Sequence, residues 1–248
     1  MFQLPRNVAF SGILKVDCLY KGKINMVQVA SISQRIWDMK YRLKDPDGRP
    51  VDKNIEDTWN RLATALSERE IESEIWRQKF YNALEDFKFL PAGRIVSGAG
   101  AKRKVTLFNC FVMGDVPDDL AGIFESLKEA ALTMQQGGGI GYDFSTLRPK
   151  GALVNSVGAD ASGPLSFMDV WDSMCRTIMS AGSRRGAMMA VMRCDHPDIE
   201  LFIEAKREAG RLRMFNLSVL ISDDFMLAVK EDAPWSLTYK GTIYKTLP

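Results

Sequence analysis

The sequence has a single histidine, His196, and only four cysteines, Cys18, Cys110, Cys175 and Cys194, with no C-x-x-C pair. Nothing falls at metal-ligand spacing, so a zinc site built from this chain alone is not expected. A Ser-His or Cys-His hydrolase is excluded unless His196 is the base. In Asp195-His196-Pro197-Asp198, just ahead of a helical pattern, that histidine reads instead as part of a helix N-terminal cap region. No apolar run approaches the roughly 18–20 residues that cross a bilayer. The opening MFQLPRNVAFSG lacks an apolar core followed by a small-residue cleavage site, so a cytoplasmic protein is the expectation. Charge of one sign is missing too. A net charge of +2 gives no ground for direct nucleic-acid binding or for a membrane partner. What remains, 46% apolar and 26% charged over 248 residues, is a soluble globular composition long enough for one large or two small domains.

The most informative stretch is 105–145, VTLFNCFVMGDVPDDLAGIFESLKEAALTMQQGGGIGYDFS. Residues 105–113 are β-branched and aromatic, with one polar break at Asn109-Cys110, and read as a strand. Gly114 to Asp118 stops it, with Asp118 as the expected N-cap of the next helix. Leu120, Ile123, Phe124, Leu127, Ala130, Ala131 and Met134 then recur at helical spacing. Gly137-Gly138-Gly139 ends that helix and residues 140–144 begin a second strand. Strand, helix and strand of this size make a right-handed crossover between parallel strands.

Around that unit the chain divides in two. Residues 1–30 are irregular, with short apolar pieces cut by Pro5, Gly12 and Gly22. Helical patterns follow at 32–42, 52–66 and 68–87; the last puts Ile71, Ile75, Trp76, Phe80 and Leu84 on one face. We expect an N-terminal helical lobe over 1–88. The stretch FLPAGRIVSGAG reads as a loop, either a plain junction or a glycine-rich approach to phosphate around Gly93 and Arg94; spacing alone favours the junction. Residues 151–163 form a small-residue loop, 164–180 a helix in which Trp171 and Cys175 pack, 187–192 a buried strand and 197–209 a helix. A basic loop at 206–213, a strand at 215–221, a short helix at 224–229 and a hairpin at 235–244 complete the pattern. Strands and helices alternate through this part, which predicts an α/β fold over 89–248. The repeats are too few to close a barrel, so the sheet is expected to be incomplete, with an open edge.

The blocks FLPAGRIVSGAG, LFNCFV, QQGGGIGYDFSTLRPKG, SGPLSFMDVWD, RRGAMMAVMRCDHPDIELFI and FNLSVLISDDFM together resemble the large subunit of ribonucleotide reductase, in order and spacing. They are most similar to its adenosylcobalamin-dependent branch. The resemblance implies the first half of a ten-stranded α/β barrel behind a helical lobe. It implies reduction of a ribonucleotide substrate by thiyl-radical chemistry, with Cys110 as one of the two cysteines that become a disulfide. It places Asn109 and Gly139 against substrate, and Gly93 and Arg94, more loosely, at its phosphate. It matches Asp115 and Arg148 to the ribose and phosphate contacts of a deoxynucleoside triphosphate or ATP effector. The loop 151–163 and the basic loop at 208–214 correspond to the two effector loops. A thioredoxin-type reductant, a homodimer and a C-terminal half of the enzyme are the implied partners.

The N-x-C-x-E motif that carries the radical cysteine does not occur, nor does a second reducing cysteine, a later phosphate loop, a C-terminal cysteine pair or an ATP-cone. No cobalamin contact can be assigned. The expected function is therefore the N-terminal part of a reductase, inactive without its other half. A non-catalytic deoxynucleotide-binding module, an inactive gene fragment and a reductase with an external radical subunit are the alternatives.

Overall fold

A computed structural model of the protein describes residues 29–154, 158–178, 187–207 and 209–248. The readings for 1–28, for the helix end at 179–180, for Glu208 and for 155–157 lie outside the described residues.

The front of the chain is helical: α1 (Ser31–Lys40), α2 (Ile55–Ser67), α3 (Ser73–Leu84), a 3-10 turn (Glu85–Phe87) and α4 (Gly93–Gly98). Asn54 starts α2 by accepting the Asp57 N–H at 2.9 Å, the usual task of an N-cap amide. Trp59, Leu62, Leu84, Val96 and Ala99 make a small apolar core. Asp52 and Arg61 brace it. The Arg61 guanidinium donates to Asp52 at 2.8 Å and to the Val96 carbonyl at 3.1 Å, so it ties α2 to α4. Burial pushes the Asp52 carboxyl up. Bonds from Arg61, Thr58 and the Leu43 N–H outweigh that and hold it below its ordinary value.

Two expectations are corrected in this region. Of the five residues assigned to one packed face of α3, only Leu84 is buried. Ile71 precedes the helix fully exposed and Ile75 is half exposed, because α3 meets α2 through Leu84 and Tyr81, whose ring stands edge-on to Trp59. The stretch 89–100 is not a loop throughout. Gly93–Gly98 is a helical turn and a half, and Gly98 lets the Leu107 and Val105 side chains within 3.0 Å of where a Cβ would stand.

The second part holds β1 (Cys110–Val112), α5 (Leu120–Gln135), β2 (Gly139–Asp143), a two-residue hairpin β3 (Leu153–Val154) and β4 (Ala159–Asp160), α6 (Pro164–Thr177), β5 (Met188–Arg193), α7 (Ile199–Glu204), β6 (Phe215–Leu220), α8 (Asp223–Glu231), and a closing hairpin β7 (Trp235–Tyr239) and β8 (Thr242–Leu247). β1, β2, β5 and β6 form a parallel sheet in that order. The side chains of Ile140, Tyr142, Met188, Ala190, Met192 and Phe215 pack under α5, α6 and α7, with Trp171 of α6 fully buried at the centre. The opposite face is open, with Val112 98%, Met189 44% and Leu220 43% exposed. This is a mixed α/β chain with a partial parallel sheet, as expected.

Boundaries moved where tertiary contacts decided them. β1 is three residues rather than nine, since the Thr106 N–H donates to the Gln136 carbonyl and runs the preceding residues past the end of α5. Asp119, not Asp118, caps α5, accepting the Gly122 N–H at 2.9 Å. α7 has six residues, and the expected loop at 151–163 contains the β3–β4 hairpin.

Candidate active site

The parallel register sets Cys110 beside Gly139 at the start of β1 and β2. The Gly139 N–H donates to the Asn109 carbonyl at 2.8 Å and fixes that pairing. A Cβ on Gly139 would lie 3.3 Å from Cys110 Sγ and 3.4 Å from the Ala187 carbonyl, so the thiol occupies the space a side chain there would need. Cys110 is a free, exposed thiol. It lines a hollow of about 330 Å³ together with Arg94, Gly139, Gly141, Met189 and Asn216. The hollow lies on the uncovered face of the sheet, at the N-terminal ends of its strands.

Sequence-expected residues are only partly gathered there. Cys110, Gly139 and Arg94 share the hollow. Gly93 faces away from it and touches Tyr41, whose ring stands 3.2 Å from the position of a Cβ. Asn109 meets β2 through its backbone carbonyl and is not among the hollow's lining residues. Asn216 and Gly141, which no motif singled out, do line it. The signal for Gly141 was available: in Gly139-Ile140-Gly141 the glycines alternate, and alternate strand residues share a face.

A second hollow, of about 530 Å³, opens beside the β3–β4 hairpin and the start of α6, lined by Asp118, Arg148, Asp160, Ser162, Gly163 and Phe167 among others. The carboxylate facing Arg148 is Asp118. It accepts the Arg148 Nε–H at 3.0 Å, the Arg148 backbone N–H at 3.0 Å, the Tyr239 hydroxyl at 3.0 Å and Lys240 Nζ at 3.2 Å. Partial burial raises the Asp118 carboxyl, and these four donors together bring it below its ordinary value. Asp115, the residue matched from sequence, is exposed in the loop after β1 and does not line this hollow. By sequence Asp118 also fits a helix cap, because an acid ahead of an apolar periodic run satisfies that pattern equally well.

The lone histidine stands in the turn two residues ahead of Asp198, the N-cap of α7, as expected, and it is buried there. His196 is 2% exposed; its Nε2–H donates to the Leu147 carbonyl at 3.0 Å and its Nδ1 accepts the Asp198 N–H at 3.0 Å. Those partners fix the neutral Nε2–H tautomer. Both ring nitrogens are therefore committed, and among the described residues no group of three His, Cys, Asp or Glu is placed to hold a metal ion. Cys175 is buried in the α6 core and its thiol is pushed up to about 11, by burial first and Asp172 second, so it is inert at neutral pH. Among the described residues no helix is long and apolar enough to cross a membrane.

A free thiol at the end of a parallel strand thus lies over a glycine in an open hollow of an α/β sheet that an arginine also lines. The barrel-domain model of ribonucleotide reductase matches residues 108–246, and the all-alpha-domain model of the same enzyme matches residues 29–104. The chain belongs to the ribonucleotide reductase large-subunit family. It is 37% identical over 216 residues to a vitamin B12-dependent ribonucleoside-diphosphate reductase of Mycobacterium tuberculosis, a match covering 85% of this chain and 30% of the relative. It is 36% identical to a protein of the same description from Thermoplasma acidophilum, across 72% of this chain and 23% of that one. A Helicobacter pylori ribonucleoside-diphosphate reductase subunit alpha matches at 31% across 80% and 25%. The chain thus spans less than a third of the length of these relatives.

Proposed function

We propose that this chain supplies the helical lobe, the first strands of the barrel and one reducing thiol to a ribonucleotide reductase that converts ribonucleoside diphosphates to deoxyribonucleotides. The observation that carries this reading is the Cys110 thiol, free and exposed, set against Gly139 in the nucleoside-sized hollow. In the reaction, loss of the 2′ hydroxyl as water takes two electrons and two protons. Cys110 supplies half, and a second cysteine outside this chain's assigned residues supplies the rest as the two sulfurs join in a disulfide. A thioredoxin-type reductant then restores both thiols by exchange. Gly139 keeps the floor beside the sulfur clear, Asn109 fixes the β1–β2 pairing, and Arg94 is the cation that lines the hollow, of the charge a phosphate needs.

Adenosylcobalamin is the radical source we assign, on the descriptions of the Mycobacterium and Thermoplasma relatives. We assign no residue of this chain to its contacts and place them mainly in the remaining length of such a protein, together with the radical cysteine. We further assign the Asp118–Arg148 hollow to the deoxynucleoside triphosphate or ATP effector, with Asp118 taking the part first given to Asp115. Homodimer formation and cytoplasmic location follow from the same reading.

The test is reconstitution. The chain, combined with a polypeptide carrying the remaining length of its relatives, is assayed with ribonucleoside diphosphate, adenosylcobalamin and thioredoxin. Cys110→Ser should lower multiple turnover at least about a thousandfold, as loss of a group forming a covalent intermediate does. Wild-type turnover by that variant would sink the assignment.

A further inference from the structure

Gly141 is a glycine that the fold does not ask for. Its backbone is not in the left-handed region, and a Cβ there would meet nothing closer than 3.8 Å, the Met189 Cβ. Its neighbours differ: a Cβ on Gly138 would stand 2.7 Å from the Phe111 ring, and one on Gly139 crowds Cys110. Glycine inside a strand gives up packing and backbone entropy, so an unforced one marks a place where something approaches the backbone. The approach here is from the open face, since Gly141 floors the Cys110 hollow.

The register shows what the bare floor leads to. Gly141 pairs with Met189, and Met189 with Asn216, so one row crosses three strands and ends on a carboxamide. At about 4.8 Å per strand step, Asn216 lies about 14 Å across the sheet from the β1 strand that carries Cys110. That separation is the extent of a nucleotide rather than of a ribose. Arg94 and Asn216 are the other hydrogen-bonding side chains among the lining residues besides the thiol. A cation suits a phosphate. A carboxamide, donor and acceptor together, suits the edge of a nucleobase.

We propose that Gly141, Met189 and Asn216 form the base subsite of the Cys110 hollow, Gly141 giving the ring its clearance, Met189 its apolar contact and Asn216 its hydrogen bonds. This rests on the nucleotide reading of that hollow given above. The thioether of Met189 is polarizable and 44% exposed, a surface that accepts flat rings of different size. Asn216 is then a residue through which bases are told apart.

The experiment follows iodoacetamide alkylation of Cys110 by peptide mass spectrometry on the full chain, with CDP, UDP, ADP, GDP or inorganic pyrophosphate as protectants. Gly141→Ala should melt no lower than the wild type and alkylate at the wild-type rate without nucleotide. It should need at least tenfold more of each nucleotide for the same protection. Asn216→Ala should alter the order of protection among the four bases and leave that by pyrophosphate unchanged. Wild-type protection of a normally folded Gly141→Ala chain overturns the subsite, as does a lowered melting temperature, which would show that packing demands the glycine. An unchanged base order in Asn216→Ala overturns its role. Failure of every nucleotide to protect the wild type, with Cys110 still reactive, overturns the nucleotide reading itself and the subsite with it.

Discussion

Two cysteines of this chain have opposite fates, decided by a few ångströms of packing. Cys110 is exposed at the open face, whereas the thiol of Cys175 is raised to about 11 by the α6 core. At pH 8 the thiolate of Cys175 is then scarce, and alkylation of Cys110 should outrun it at least about a hundredfold in the native state. Denaturant should erase the difference. Peptide mass spectrometry after timed iodoacetamide treatment measures both rates. His196 titrates on the same logic. Burial is the main influence and lowers its pKa, with the Leu147 bond and the charges of Asp198, Asp195 and Asp143 opposing it. A histidine that resists protonation when folded binds its proton first in the unfolded chain. Stability from this site is therefore complete above the unfolded pKa of about 6.5 and is lost as pH falls below it, at up to about 1.4 kcal/mol per pH unit until the folded ring also titrates. Urea midpoints at pH 7.5 and pH 5.5 should separate more in the wild type than in His196→Gln. Equal separations would refute this account.

At the scale of elements, neighbouring acids do unrelated work. Asp119 caps α5 and Asp118 gathers Arg148, Tyr239 and Lys240. Asp119→Ala should cost about 1 kcal/mol, the ordinary value of a cap, without touching the Arg148 hollow. Tyr239→Phe removes the hydroxyl that reaches both Asp118 and the Thr146 carbonyl, 3.0 and 2.8 Å away, and so unfastens the last hairpin from the β2–β3 connection. We expect a loss of about 1–3 kcal/mol in chemical denaturation, because the single hydroxyl proton shared between these two part-buried acceptors is lost. A Tyr239→Phe chain as stable as the wild type would mean that Leu237 packing and the bonds from Trp235 to Cys194 and from Thr238 to Asp195 suffice to hold the hairpin. The residues of α4 resemble a loop in sequence for a related reason. Gly93, Ser97 and Gly98 weaken helical propensity, and only docking on Tyr41 and Leu107 makes the turn worthwhile.

For the whole molecule the consequential feature is that two apolar clusters do the folding, one under the sheet and one in the helical lobe. The lobe depends on the Asp52–Arg61 pair, with side chains only 3% and 10% exposed. Arg61→Ala leaves a buried carboxylate unpaired and frees the Val96 and Ala99 carbonyls, which should destabilise the lobe by about 3–5 kcal/mol. Near-ultraviolet circular dichroism of the Trp171 region should persist at urea concentrations where Trp59 has already melted. Simultaneous loss of both signals at the wild-type midpoint would contradict this division.

The amino-acid sequence alone determined the helical front, the strand–helix alternation after it and the triple glycine that closes the helix between β1 and β2. Each rests on local periodicity or on turn residues whose conformations are restricted. It could not determine which of several equivalent acids faces Arg148, because Asp115, Asp118 and Asp119 differ only in where the α5 entry turns. Nor could it show that Gly93 turns away from Arg94's hollow, or that Asn216 stands in the row of Gly141. Those positions are set by strand register and by burial of Trp171 beneath the sheet, which join residues far apart in the chain. Tertiary packing decided them, since only contact across strands tells one open-face residue from another.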